Sequence, residues 1–337
     1  MTQYSRVLRL LAATMLVGGL LLAQQPAATD LLDQAVAKAD ELCRSGRFSE
    51  AAEVMKPAVQ AAEKAGPSTS HLLAVALTTL GRIYHNQCRY AEAERLLRRA
   101  MGIWEGNPAS DMRWRLRTAN SLAAAYSATG RFALSERLLR QHLSIGRNLH
   151  ADCPEIAKVF QELGYAQEGQ RRYAEAESSY RESLVIFQRL PGHDDDVADV
   201  LTTLGDFQLR TGRRREAREN LERALAIYRR LYSEAHPDTL EPSLSLARVY
   251  VEIGQALEAE RLLKQALVTA NTTVGPEHPL TGIVFVHYAR VLRVLGRRRE
   301  SAKLERAGKA ILEKSSLMDP GRYTVDVTEL MAEQGGR

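Results

Sequence analysis

Residues 197–231, VADVLTTLGDFQLRTGRRREARENLERALAIYRRL, carry two apolar stripes at helical spacing with a break between them. Val200, Leu201, Leu204, Phe207 and Leu209 form the first, and Thr211-Gly212 interrupts it. Ala217, Leu221, Ala224, Leu225, Ile227 and Tyr228 form the second, with Arg and Glu on the opposite side. The pattern predicts two amphipathic helices joined by a tight turn. Gly212 suits the left-handed conformation that ends a helix, and Gly46, Gly130, Gly254 and Gly296 stand at the equivalent place elsewhere.

The same unit recurs along the chain. Small residues return at Ala39, Gly81, Ala123, Gly164, Gly205, Ala247 and Ala289, with gaps of 41 or 42. A second small residue follows each by twelve, at Ala51, Ala93, Ser135, Ala176, Ala217, Ala259 and Ser301. Two helices approach to about 8–9 Å only where neither presents bulk, so both slots are expected at the helix contact within each pair. Loops with proline, such as His236-Pro237-Asp238-Thr239 and Glu277-His278-Pro279, are expected to separate the units, with Asp or Thr capping the next helix. Seven units make one quasi-linear domain, in which each repeat contacts only its neighbours.

Hydrophobic content of 45% and charged content of 26% over 337 residues suit a folded chain. At the N-terminus, Arg6 and Arg9 precede the apolar run from Leu10 to Ala23, LLAATMLVGGLLLA, and polar QQPAATD follows. This pattern predicts an export signal over 1–23, cleaved after Ala23, and a linker over 24–30. The run is short for a membrane span, which needs about 20 apolar residues. Its retention as an anchor, residues 10–23, is the alternative. Removal of the leader lowers the formal charge from +5 to +3. Arginine clusters such as Arg213-Arg214-Arg215 and Arg297-Arg298-Arg299 have no interleaved aromatics, so they are expected to be solvated turns and not a nucleic-acid surface. Cys43, Cys88 and Cys153 form an odd set that fits neither a disulfide framework nor a zinc motif.

The units resemble the tetratricopeptide repeat, in its longer 42-residue variety found in kinesin light chains. The likeness rests on Leu80-Gly81, Tyr84, Tyr90, Ala93, Leu97 and Ala100 in the second unit. In the sixth it rests on His236-Pro237, Leu246-Ala247, Tyr250, Gly254, Ala259, Leu263 and Ala266. The resemblance implies an all-α, right-handed superhelical solenoid of about seven antiparallel helix pairs over 31–315. The repeats fall at about 31–66, 69–107, 110–150, 154–191, 195–233, 237–274 and 278–315, with a C-terminal tail over 316–337. Two departures fall in the terminal units. Pro57 is expected to kink or shorten the second helix of the first unit, and Glu305 replaces the usual Leu or Tyr in the last.

No phosphate loop, nucleophile elbow, HExxH, EF-hand loop or paired CxxC is present in the sequence. Catalytic, cofactor and metal sites are therefore not expected. Asp194-Asp195-Asp196 is expected to be a solvated helix start, and His236 and His278 are expected to cap or pack. In the family, first helices line a concave groove, at positions three before and one after the first small residue. Carried over, these are Thr78 and Arg82, Asn120 and Ala124, Gln161 and Tyr165, Thr202 and Asp206, Leu244 and Arg248, Val286 and Arg290. Arg293 lies one turn beyond Arg290. Asn120 and Thr202 are expected to bond a partner's backbone, and Arg248, Arg290 and Arg293 to meet acidic groups through their planar donor forks. The competing assignment pairs Arg248 with Glu252 at i,i+4 spacing.

The reading is a non-catalytic, exported scaffold, periplasmic or secreted, that holds a protein or peptide segment in its groove. It has no nucleic-acid partner and no stable membrane insertion unless the leader is retained. The alternatives are a membrane-anchored assembly or adaptor factor, and a regulatory protein or enzyme with an unrecognised site.

Overall fold

The computed structural model describes residues 29–43, 46–66, 69–106, 111–146 and 153–318. The expected leader, and the tail from residue 319 onward, lie outside the described residues. Two compact units divide between Ala125 and Tyr126. The first contains α1 (29–43), α2 (Phe48–Lys64), α3 (Ser70–Asn86), α4 (Tyr90–Glu105) and most of α5 (Met112–Ala128). The second contains α6 (Phe132–Gly146), α7 (Pro154–Gly169), α8 (Tyr173–Arg189), α9 (Asp194–Arg210) and α10 (Arg214–Leu231). It continues through α11 (Leu240–Glu252), α12 (Ala256–Thr273), α13 (Pro279–Val294) and α14 (Arg298–Met318). No strand occurs among the described residues. The last helix runs three residues past the expected end of the array at 315.

In the first unit α3 packs on both α2 and α4; in the second every helix from α6 onward packs on the next. First helices α9, α11 and α13 also touch in succession, so they share one face. All the small residues of both slots are buried. A Cβ on Gly205 would stand 2.6 Å from Leu221 Cγ, and one on Gly164 would stand 2.7 Å from the Tyr180 ring. The serines in the second slot are satisfied inside the core. Ser301 Oγ donates to the Ala289 carbonyl at 2.7 Å, and Ser135 Oγ accepts from Ser127 at 3.0 Å.

The turn within each pair uses one geometry. Gly212 has φ +80°, and the Arg213 N–H then donates to the Gln208 carbonyl at 2.8 Å, closing the first helix. In the second and fourth repeats the left-handed position is held by Cys88 (φ +56°) and Arg171 (φ +62°) instead. The arginine after it has a structural role, which for Arg213 and Arg297 replaces the expected solvated turn. Arg172 reaches Glu136 at 2.6 Å, Arg213 reaches Glu177 at 2.8 Å, and Arg297 reaches Glu260 at 2.6 Å. Each links the start of a second helix to the second helix of the preceding repeat. Glu136 and Glu260 are buried, and such charges persist only when paired. Bonds from Lys264, Arg297 and Tyr288 outweigh desolvation and hold the Glu260 carboxyl below its usual range.

One local expectation, for Pro57, changes. Pro57 does not shorten α2, which continues to Lys64; Pro57 is exposed, so the carbonyl it leaves without a donor faces the solvent side. The caps after His236 and His278 come from the histidine rings, which accept from the Asp238 N–H at 3.3 Å and the Leu280 N–H at 3.2 Å. The acidic triplet is paired: Asp194 with Arg230 at 2.7 Å, and Asp196 with Lys158 at 3.1 Å. Cys43, Cys88 and Cys153 are free thiols.

Candidate functional site

The first-helix positions divide by environment. In the first unit Thr78 is buried, and its hydroxyl bonds the Ala74 carbonyl and Thr118 Oγ1, both at 2.7 Å. Trp104 Nε1 donates to the same Thr118 hydroxyl at 2.9 Å. Thr78 is thus part of a core network and does not line a binding face. Arg82 is exposed and paired with Asp40. Asn120 is half-buried, and its Oδ1 is buried with no hydrogen-bond partner.

In the second unit Thr202 is also buried, with its hydroxyl donated to the Ala198 carbonyl at 2.9 Å. A threonine inside a helix commonly bonds the carbonyl four residues back, so Thr202 has no hydroxyl hydrogen to offer a partner. Leu244 and Val286 are buried in the core. Arg293 is paired with Glu305, the atypical residue of the last repeat, and Glu305 also meets Lys309 at 3.0 Å. The expected role of Arg293 against an acidic partner is corrected accordingly.

What remains on the face has two electrostatic zones. Near α7 and α9, Gln161 Nε2 donates to Asp199 Oδ2 at 2.9 Å and to Thr203 Oγ1 at 3.1 Å. Tyr165 is exposed and edge-on to Phe132, and Asp206 is half-buried beyond it. Burial pushes the Glu162 carboxyl up to about 7 against a hydrogen bond from Ser127. Burial also raises Asp199, with Asp196 and Asp238 adding repulsion and Gln161 and Lys158 opposing. The hydroxyl of Tyr228 is raised by burial and by Asp199, Asp238, Glu241 and Asp195, which marks this end as acidic.

Near α11 and α13 the sign reverses. Arg248 is exposed, and Arg290 is half-buried. Arg248 does not pair with Glu252, which is taken by Arg214 at 2.6 Å. Both arginines bear on His287, whose ring is pushed down to about 3, first by burial and then by their charges. Sequence reasoning missed His287 and Glu162, each two residues before the small slot. The inherited pattern of three before and one after skips that position.

A separate groove of about 460 Å³ opens between α10, α11 and α12, lined by Leu225, Leu246, Tyr250 and Leu262 with Arg229 and Arg261 alongside. Among the described residues no group of three or more His, Cys, Asp or Glu is placed to hold a metal ion. Nor is any helix there long and apolar enough to cross a membrane.

The tetratricopeptide repeat family model matches residues 35–106, 114–189, 155–230 and 196–270, more than half of the chain. The chain belongs to the tetratricopeptide repeat family. It is 27% identical to the putative kinesin light chain of Podosopora anserina with nearly identical TPR-like repeats, with a TM-score of 0.52, over 61% of this chain and 98% of that one. BtubC (BKLC) from P. vanneervenii matches at 22% identity and a TM-score of 0.54, over 72% and 92% of the two chains. A Rap protein complexed with Competence and Sporulation Factor matches at 14% identity and a TM-score of 0.56, over 83% and 81%. These last two likenesses are of fold. No curated protein matches the sequence. Tetratricopeptide repeats suggest a protein-interaction scaffold.

Proposed function

We propose that this protein is a non-catalytic scaffold whose first-helix face holds an extended peptide segment of a partner protein. The carrying observation is that the first helices α9, α11 and α13 touch in succession and share one face, with Arg248 exposed on α11 and Arg290 half-buried on α13. Guanidinium groups on a binding face suit carboxylates of a ligand. The acidic zone around Asp199 and Glu241 suits the ligand's cationic groups. A Rap protein of related fold is complexed with Competence and Sporulation Factor.

The protein acts outside the cytoplasm, exported by residues 1–23 with cleavage after Ala23. This rests on the basic start and the apolar run from Leu10 to Ala23. Sequencing of the mature N-terminus tests it: a chain starting at Gln24 is expected, and an intact leader would favour a membrane-anchored adaptor.

Cross-linking capture from the native host, with the Arg248→Glu/Arg290→Glu double variant alongside, tests the binding reading. A partner recovered with the natural chain and lost from the variant is expected. Equal recovery with both would move binding to the α10–α12 groove or another surface.

A further inference from the structure

The groove between α10, α11 and α12 opens where the sixth repeat departs from the fifth. In the fifth, Gln208 and Asn220 bond each other at 2.8 Å, and Arg213 links to Glu177 of the preceding repeat. The corresponding places in the sixth are Tyr250 and Leu262, which supply an apolar floor with Leu225 and Leu246. Gln255 stands where the linking arginine would be and Arg218 where its glutamate would be, so that link cannot form. Ala226 on the α10 wall replaces the valine found at the same place in α8 and α12, Val185 and Val268. Both carboxylates of the lining are satisfied within the protein. Glu222 accepts from Arg218 at 2.7 Å and from the Tyr250 hydroxyl at 3.0 Å, and Glu258 pairs with Arg261. The Arg229 guanidinium makes no hydrogen bond or ion pair with another described residue. An apolar floor and one guanidinium are therefore left open together, and they suit an apolar segment that carries an acid.

We propose that this groove is the docking site of the chain's own C-terminal segment, with Val327, Leu330 and Met331 on its floor and the Asp326 carboxylate on Arg229. The segment lies outside the described residues, and its assignment rests on pattern, charge and reach. Val327, Leu330 and Met331 recur at i, i+3 and i+4, an apolar stripe of the kind that fills a groove between helices. From Val325 to Gln334 the sequence holds the acids Asp326, Glu329 and Glu333 and no Lys or Arg. The second helices α10, α12 and α14 run the same way, and Arg229 and Gln265 are the last lining residues on the first two. Met318, where α14 ends, stands about 16 Å along its axis past Ala307, the residue level with Gln265, at 1.5 Å per residue. Crossing α12 adds two helix spacings of about 8–10 Å each. The path is thus roughly 25 Å, which residues 319–326 cover at about 3.3 Å per residue, so Val327 arrives at the Arg229 end of the groove. The surface belongs to the second helices, and the inference does not rest on the peptide-binding reading of the first-helix face.

The test uses the full chain with photoreactive benzoylphenylalanine in place of Gln265, which is half-buried at the groove. The dilute protein is irradiated, and cross-links are mapped by mass spectrometry. Cross-links to residues 326–331 of the same chain are expected. Ala226 is exposed, so Ala226→Trp fills the groove without entering the core, and Leu330→Asp changes only the docking segment. Each is expected to lower the yield at least about tenfold, because burying one leucine side chain is worth that much or more. Arg229→Glu is expected to lower it as well, and Arg229→Glu combined with Asp326→Lys to restore it. If no cross-link reaches 326–331, the docking is overturned and the groove is open to a partner protein. A yield unchanged by either Ala226→Trp or Leu330→Asp overturns it too. Cross-links that join two chains and grow with concentration overturn the intramolecular assignment and give the groove to a second copy. A yield unmoved by Arg229→Glu overturns the pairing with Asp326.

Discussion

The carbonyl oxygen of Gly282 on α13 stands 2.7 Å from where a Cβ on Gly308 of α14 would lie. The last helix pair is thus closed backbone against backbone, where no side-chain rotation can make room. Gly308→Ala should cost about 1–3 kcal/mol of stability by overpacking, although alanine favours helix by about 1 kcal/mol. Gly102, exposed on α4 with nothing within 4 Å of its Cβ position, is the control. Gly102→Ala should gain about 0.5–1 kcal/mol. Urea unfolding of both variants checks the contrast, and two changes of the same sign would refute the packing assigned to α13 and α14.

Arg171 holds φ +62° in the turn where Gly212 holds +80° in the next repeat. Its side chain is exposed, so its removal leaves no buried gap. A left-handed conformation costs a residue with a Cβ about 1–2 kcal/mol. Arg171→Gly is expected to raise the melting temperature, whereas Gly212→Arg, made as the converse, should lower it.

The link from Arg297 to Glu260 ties the seventh repeat to the sixth, and the Glu260 carboxyl is held below its ordinary value of 4.5. A depressed carboxyl contributes stability that is present above the ordinary value and lost as pH falls through the lowered one. Glu260→Gln should therefore reduce the denaturation midpoint at neutral pH. The difference from the natural chain should shrink steadily once the buffer drops below about pH 4. A deficit independent of pH would assign the effect to packing.

Glu162 behaves in the opposite sense. Its carboxyl is raised from 4.5 to about 7 by burial, and Oε1 has no hydrogen-bond partner. The stability it contributes is complete below the ordinary value and disappears as pH rises through about 7. Glu162→Gln is expected to match the natural chain near pH 4 and to exceed its stability by about 1–3 kcal/mol near pH 8. Equal stability at both values would show that the carboxyl is solvated in the folded chain.

The helix-pair architecture was legible because its cause is steric: a position such as Gly205, pressed on Leu221, admits only small residues, and the constraint repeats with the fold. Interaction residues carry no comparable constraint. Thr78 and Thr202 stand at the expected spacing, yet their hydroxyls bond their own helices. The fate of Arg293 depends on Glu305, twelve residues on and in another helix, which spacing along one helix does not reveal. Cys88 and Arg171 occupy left-handed positions with no glycine to announce them.

Site-specific photo-cross-linking tests the central claim most directly. A photoreactive side chain is placed at Tyr165, exposed on the first-helix face, and at Leu257 or Val268, which are exposed on the second helix α12. A labelled peptide of alternating glutamate and alanine is then added. Cross-links from Tyr165, absent from Leu257 and Val268, are the predicted result. Cross-links confined to Leu257 and Val268 would contradict it and place the ligand on α12.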